Sequence, residues 1–238
     1  MRIAYYPGCA AKSMFRSAYE RGLEALSALG EVFEVPDWVC CTGGVAEEKE
    51  EGLLERITAV NLLLAASKGA DVVATSCSMC LSALRRGAAR LTRSLLEDVA
   101  EKLGVGVPES LPRILHVADL LVERASRVEL RVSGRAALYP GCMYISSSGG
   151  LPAAKRLVSR LSRLAGVEFR LLTGCCGFPI YASRPRESAV MASKVEQRAE
   201  SLGVDVVVTL CPLCKVSLRR FTGLEVYLLE EVLERVEA

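Results

Sequence analysis

The sequence predicts an α/β protein of two tandem pseudo-symmetric Rossmann-like halves, each a small mostly parallel sheet flanked by helices, packed with its cysteine loops facing the junction. Three observations predict it. All ten cysteines of the 238 residues fall into two copies of one pattern: Cys9, Cys40-Cys41 and Cys77-x2-Cys80, then Cys142, Cys175-Cys176 and Cys211-x2-Cys214. Short apolar β-branched runs alternate with helical periodicity in both copies, which is the signature of parallel α/β units. Glycines stand where the helices should end, at Gly30, Gly69, Gly104, Gly166 and Gly203.

The elements follow in order. Ile3-Ala4-Tyr5-Tyr6 is an apolar run closed by the turn Pro7-Gly8 at Cys9, and Ala137-Leu138-Tyr139 repeats it before Pro140-Gly141-Cys142. Apolar positions at three- and four-residue spacing predict helices over Arg16 to Leu29, Glu47 to Lys68 and Leu81 to Leu103. The same spacing recurs over Leu151 to Leu164, Pro185 to Leu202 and Glu230 to Val236. The clearest strands are Ala70-Asp71-Val72-Val73-Ala74-Thr75-Ser76 and Val204-Asp205-Val206-Val207-Val208-Thr209-Leu210, each ending on a C-x2-C turn. A last strand leading into a helix is expected at Ile114 to Leu121 and again at Val226 to Val232. Ser126 to Gly134 separates residues 1–125 from 135–238, and it is too short and too varied to act as a flexible linker. In open α/β sheets, loops at the carboxyl ends of the strands gather in one place, so the three cysteine groups of each half should meet.

Five cysteines per half cannot all pair as disulfides, and bonded neighbours such as Cys40-Cys41 make only a strained ring. At 51% hydrophobic content the chain can bury a core without covalent staples. The residues from Met1 to Cys9 hold no signal-peptide apolar region, and the best apolar stretch, Ala59 to Ala66, falls short of the ~18–20 residues of a spanning helix. A soluble, cytoplasmic protein in a reducing compartment, without a membrane span, is the expectation. A net charge of +2 and 5% aromatic residues do not describe a nucleic-acid surface. The cysteines read as metal ligands. Zinc takes four ligands in a structural site and a cubane iron–sulfur cluster takes four thiolates, so a fifth cysteine exceeds both, and zinc remains the alternative for the N-terminal set.

The motifs Tyr6-Pro7-Gly8-Cys9, Cys40-Cys41-Thr42-Gly43, Cys77-Ser78-Met79-Cys80, Tyr139-Pro140-Gly141-Cys142, Cys175-Cys176-Gly177 and Cys211-Pro212-Leu213-Cys214 resemble the duplicated cysteine-rich "CCG" domain of the heterodisulfide reductase B subunit. The resemblance covers nearly the whole chain. It implies a noncubane [4Fe-4S] cluster on Cys9, Cys40, Cys41, Cys77 and Cys80, a second on Cys142, Cys175, Cys176, Cys211 and Cys214, and cleavage of a disulfide between them. It further implies a small iron–sulfur partner of the C-subunit type and a flavoprotein of the A-subunit type, since the chain has neither a ferredoxin-like cysteine run nor a dinucleotide fingerprint. Cleaving a disulfide takes two electrons, which gives the duplication a purpose. Electron transfer within a dehydrogenase or quinone-linked complex, and a zinc-stabilised interaction module, are the alternatives. Thr42 departs from the second copy, where glycine follows the cysteine pair.

Other residues are read more plainly. Arg85-Arg86 and Arg219-Arg220 recur after each C-x2-C, about 12 Å along a helix from the cysteines at ~1.5 Å per residue, and are expected on a solvated face. His116, the only histidine, lies in an apolar run and is expected to be structural. Trp38 precedes the first cysteine pair and is read as shielding or packing. Tyr144 and Tyr181 follow ligand turns and are candidates for lining a cleft. Ser146 to Gly150 lacks both phosphate-loop forms and is read as a rim of the site.

Overall fold

The computed structural model describes residues 1–45, 48 and 50–238. The N-terminal half runs β1 (Arg2–Tyr6), α1 (Cys9–Met14), α2 (Arg16–Ser27), β2 (Glu31–Glu34), α3 (Leu53–Ser67), β3 (Val72–Thr75), α4 (Ser78–Ala88), α5 (Arg93–Leu103), β4 (Arg113–His116), α6 (Val117–Arg124) and β5 (Arg127–Leu130). The C-terminal half repeats it with β6 (Ala136–Tyr139), α7 (Cys142–Ser147), α8 (Gly150–Ala165), β7 (Phe169–Leu171), α9 (Pro185–Ser201), β8 (Val206–Thr209), α10 (Pro212–Phe221), β9 (Glu225–Leu228), α11 (Leu229–Val232) and β10 (Leu233–Glu237). Among the described residues the sheets are β2-β1-β3-β4 and β7-β6-β8-β9, all parallel, and an antiparallel pair β5-β10. Ile3 pairs with Val72 as Ala136 pairs with Val206, so the internal repeat extends to strand register.

The central strands are buried on both faces, which is why Val72–Thr75 and Val206–Thr209 read as continuous apolar runs rather than alternating ones. One face carries Ala4, Tyr6, Val73, Ala137, Tyr139 and Val207 into a core that also contains Cys41, Cys77, Cys80, Cys176, Cys211 and Cys214. The other face carries Ile3, Tyr5, Val72, Leu138 and Val208 into a second core. Both cores run through both halves. The exchange is reciprocal: α6 of the first half packs on α8 of the second, and α11 of the second packs on α2 of the first.

Two expectations need correction. The helix expected over Leu81 to Leu103 is two helices, because Thr92 accepts a hydrogen bond from the Leu95 amide and starts α5 afresh. The helix expected over Glu230 to Val236 ends within one turn, and Leu233–Glu237 is a strand on β5, which occupies the segment expected only to separate the halves. The alternation Val128-Glu129-Leu130 has its partner at the far end of the chain, so no local window displays it. Of the helix expected from Glu47, that residue lies outside the described residues; α3 begins at Leu53. The short strands β2 and β7 escaped the periodicity reading altogether.

Candidate metal centre

Each cysteine group sits where a parallel strand hands over to a helix or loop. Cys9 and Cys142 open α1 and α7 directly after Gly8 and Gly141, whose φ values are 77° and 81°. A Cβ on Gly8 would lie 2.8 Å from the Cys80 sulfur, and one on Gly141 3.3 Å from the Cys214 sulfur, so the Pro-Gly turn brings backbone against a ligand. Cys77 and Cys211 are the N-cap residues of α4 and α10, and Cys80 and Cys214 stand in the first turns, where free N–H groups favour thiolate.

The pairs converge closely. Sulfur–sulfur distances are 3.5 Å for Cys9–Cys40, 3.2 Å for Cys41–Cys80, 3.7 Å for Cys142–Cys175 and 3.3 Å for Cys176–Cys214. All ten cysteines are free thiols. Cys9, Cys40, Cys41, Cys77 and Cys80 line one cavity of 280 Å³. Cys142, Cys176, Cys211 and Cys214 line a tighter one of 20 Å³. The two sets meet at the junction, where the Cys77 and Cys211 sulfurs are 3.9 Å apart.

That meeting is held by hydrogen bonds from the N-terminal half to one carbonyl. The Ser78 amide and hydroxyl donate to Leu210 O at 3.0 and 2.9 Å, and His116 Nε2 lies 2.9 Å from the same oxygen. His116 is fully buried and its Nδ1 accepts from the Ala118 amide, so it caps α6 and ties it to the residue before Cys211. The structural reading of His116 stands.

The thiols do not share protons evenly. Hydrogen bonding with Cys40 and Cys80 holds Cys41 down at about 4, and hydrogen bonding with Cys142 holds Cys175 at about 6. Hydrogen bonding with a neighbouring sulfur pushes Cys77, Cys80 and Cys214 well above the ordinary thiol value, and burial adds to it. Such a cage gathers partial thiolate character that a bound cation would complete by displacing the remaining protons. The N-terminal cavity gathers five sulfurs, one more than a four-ligand zinc site uses and enough for an iron–sulfur group, whereas the C-terminal cavity is lined by four, with Cys175 outside its wall.

Thr42 and Gly177 follow the two cysteine pairs and both take left-handed backbone, φ 55° and 78°. For a β-branched residue this costs about 1–3 kcal/mol, and the Thr42 amide sits 3.4 Å from the Cys40 sulfur. Gly177 has no choice of residue. A Cβ there would stand 2.7 Å from the Ser188 carbonyl oxygen and 2.8 Å from its Cα. Gly177→Ala is therefore expected to destabilise the fold by about 2–4 kcal/mol, read from urea unfolding; unchanged stability would show that this turn is not held against α9.

Other expectations resolve individually. Arg85 is not a solvated residue: its guanidinium donates to Ile114 O at 2.9 and 3.0 Å, Ser147 O at 3.0 Å and Ser148 Oγ at 2.9 Å, linking the halves. Arg219 and Arg220 are exposed, the latter stacked on Tyr181. Tyr144 is buried against His116, donates to Asp119 and lines neither cysteine cavity. Tyr181 packs with Phe178 and Phe221. Trp38 packs edge-on to Tyr6 and donates to Glu34 at 2.8 Å. Ser147 and Ser148 receive Arg85 and line neither cysteine cavity. Sequence reasoning missed Met79, Leu213 and Phe178, which line both cavities. Their signal was position, as the middle residues of the C-x2-C turns and the second residue after Cys176.

The cysteine-rich domain family called CCG matches residues 3–85 and again residues 136–219. The chain belongs to this cysteine-rich domain family. The duplicated-domain resemblance read from the motifs is thereby borne out. Among similar proteins, the 8-methylmenaquinol:fumarate reductase membrane anchor subunit of Wolinella succinogenes is 28% identical over 91% of this chain and 81% of its own length. The B subunit of fumarate reductase (CoM/CoB) from Methanothermobacter marburgensis is 21% identical over 92% of this chain and 42% of its own length. An uncharacterized iron-sulfur protein of Methanococcus maripaludis is 20% identical over 99% and 44% respectively. The chain thus spans less than half the length of the last two. A hypothetical protein from Helicobacter pylori shares the fold of this CCG protein, with a TM-score of 0.72 and 11% identity over 96% of this chain and 47% of its own. No helix among the described residues is long and apolar enough to cross a membrane.

Proposed function

We propose that this CCG protein is the iron–sulfur catalytic component of a heterodisulfide reductase-like complex, reducing or forming a disulfide at the junction of its halves. The observation that carries the reading is the approach of Cys77 to Cys211 at 3.9 Å, with Met79, Phe178 and Leu213 common to both cysteine cavities. Two separate metal stores would have no reason to share walls. Cys9, Cys40, Cys41, Cys77 and Cys80 would hold one noncubane [4Fe-4S] cluster, and Cys142, Cys175, Cys176, Cys211 and Cys214 the other. Two such clusters, when bound, would supply the one-electron steps that cleaving a sulfur–sulfur bond needs.

The chain's own residues do the rest. Helix starts at Ser78 and Pro212 direct backbone dipoles at the thiolates. Met79, Leu213 and Phe178 keep the common wall apolar and exclude water between the sites. Electrons would reach the junction from a small iron–sulfur protein, itself supplied by a flavoprotein. A second reading, electron transfer to a quinone without disulfide chemistry, is favoured by the apolar lining of the larger cavity and by the name of the Wolinella relative.

Anaerobically prepared protein is expected to contain iron and acid-labile sulfide in equal amounts. Adding candidate thiols to the oxidised protein should then produce a thiol-bound paramagnetic species. Zinc without sulfide would overturn both readings, and clusters that ignore every thiol would leave only the second.

A further inference from the structure

The two halves present their last helices to each other's central cysteine turns, and the groups they present differ. From the first half comes His116, with both ring nitrogens committed to Ala118 N and Leu210 O, next to Cys211. From the second half comes Glu230 on α11, fully buried, and neither of its carboxylate oxygens has a hydrogen-bond partner among the described residues. It reaches into the N-terminal half. A Cβ on Gly22 of α2 would lie 2.7 Å from the Tyr5 hydroxyl and 3.5 Å from Glu230 Cγ, so the glycine leaves open the space that these two groups share. The Tyr5 hydroxyl is hydrogen-bonded at 2.7 Å to Ser76 Oγ, and Ser76 is the residue before Cys77.

We propose that Glu230 is the proton-accepting group of this junction, binding one proton from solvent when the neighbouring site takes up one electron from an iron–sulfur donor. The inference rests on the reading of the junction as a redox centre. An uncompensated buried carboxylate is costly, so such a group is retained in its neutral form unless something else pairs it. Burial raises the Glu230 carboxyl to about 7, against the opposing influence of the Ser76 hydroxyl. The carboxyl is thus poised to respond, and a unit charge within about 10 Å changes proton affinity by about tenfold at an effective dielectric of about 20.

The surroundings leave Glu230 without a cation. On its own helix Glu231 is paired with Lys215 of α10. From α2, Arg21 is spent on Leu233 O, Tyr19 stacks on Tyr5, Arg16 is paired with Glu20, and Arg16, Glu20 and Glu24 are exposed, whereas Glu230 is fully buried. From β9, Tyr227 and Glu225 are bonded to each other. Proton uptake at Glu230 offsets part of the charge that the electron brings, most strongly between about pH 7 and 8.

The test is a reductive titration of the anaerobic cluster-bearing protein between pH 6 and 8.5, in wild type and in Glu230→Gln. The wild-type midpoint is expected to fall by up to about 59 mV in total across this range, the one tenfold step in proton affinity for one electron, and Glu230→Gln to flatten it. In wild type alone, the infrared band of a protonated carboxylic acid must grow on reduction, which keeps the test decisive should the variant not fold. A pH-independent midpoint, equal slopes in both proteins, or an unchanged carboxyl band overturns the inference. Protein without iron and sulfide overturns the redox reading itself, which the metal assay distinguishes from failure of Glu230 alone.

Discussion

Cys41→Ser is expected to halve bound iron and acid-labile sulfide while abolishing disulfide reduction altogether. Cys41 is 2% exposed, its sulfur lies 3.2 Å from that of Cys80, and its thiol is held at about 4. Serine keeps the shape but not the ionisation, since an alcohol stays protonated where a thiol at about 4 is a thiolate. The C-terminal five cysteines are untouched, so their share of iron should remain. If the two sets worked independently, half the activity would survive with half the iron. Complete loss of activity with half the iron retained is the result that a single two-electron centre demands. Iron analysis, sulfide analysis and turnover on the same samples decide between them.

Glu230→Gln is expected to stabilise the metal-free fold by up to about 3 kcal/mol at pH 8 and to leave it nearly unchanged at pH 4. The sign follows from proton binding. The folded carboxyl titrates at about 7 against an ordinary value of 4.5, so between those values the folded protein binds a proton that the unfolded chain does not. Stability attributable to Glu230 therefore falls as pH rises through that window, the reverse of a salt-bridged carboxylate, and the full penalty is present above about pH 7. A displacement of about 2.5 units at ~1.36 kcal/mol each sets the size. Urea unfolding of both proteins at the two pH values checks it. A difference equal at pH 4 and pH 8 would mean that glutamine acts through shape or packing and not through charge.

The fold was legible where a signal was local. Val72–Thr75 and Val206–Thr209 are β-branched runs stopped by cysteine turns, and any short window displays them. The Pro-Gly turns were legible for the same reason, since Gly8 and Gly141 announce a backbone that side chains rarely adopt. The β5-β10 pair was not, because Arg127 and Glu237 are partners 110 residues apart and each strand alone resembles a short amphipathic helix. Arg85 illustrates the same limit at the level of a side chain. Its spacing along α4 suggested a free helical face, but the acceptors Ser147 and Ser148 come from the other half of the chain.

The candidate site divides in the same way. Ten cysteines in two equal patterns establish by themselves that there are two five-thiol sets, because ligand identity and spacing are written in the chain and an odd number per half excludes complete pairing. Which sulfurs meet was decided only by tertiary structure. The Leu210 carbonyl gathers Ser78 and His116 from the other half and thereby sets Cys77 beside Cys211. The last helix of each half crosses over to the opposite cysteine turn, and this placed a tied histidine at one and an unpaired carboxyl at the other. Sequence determines donors through chemistry that each residue carries alone; neighbours, burial and proton affinity depend on what the rest of the chain packs around them.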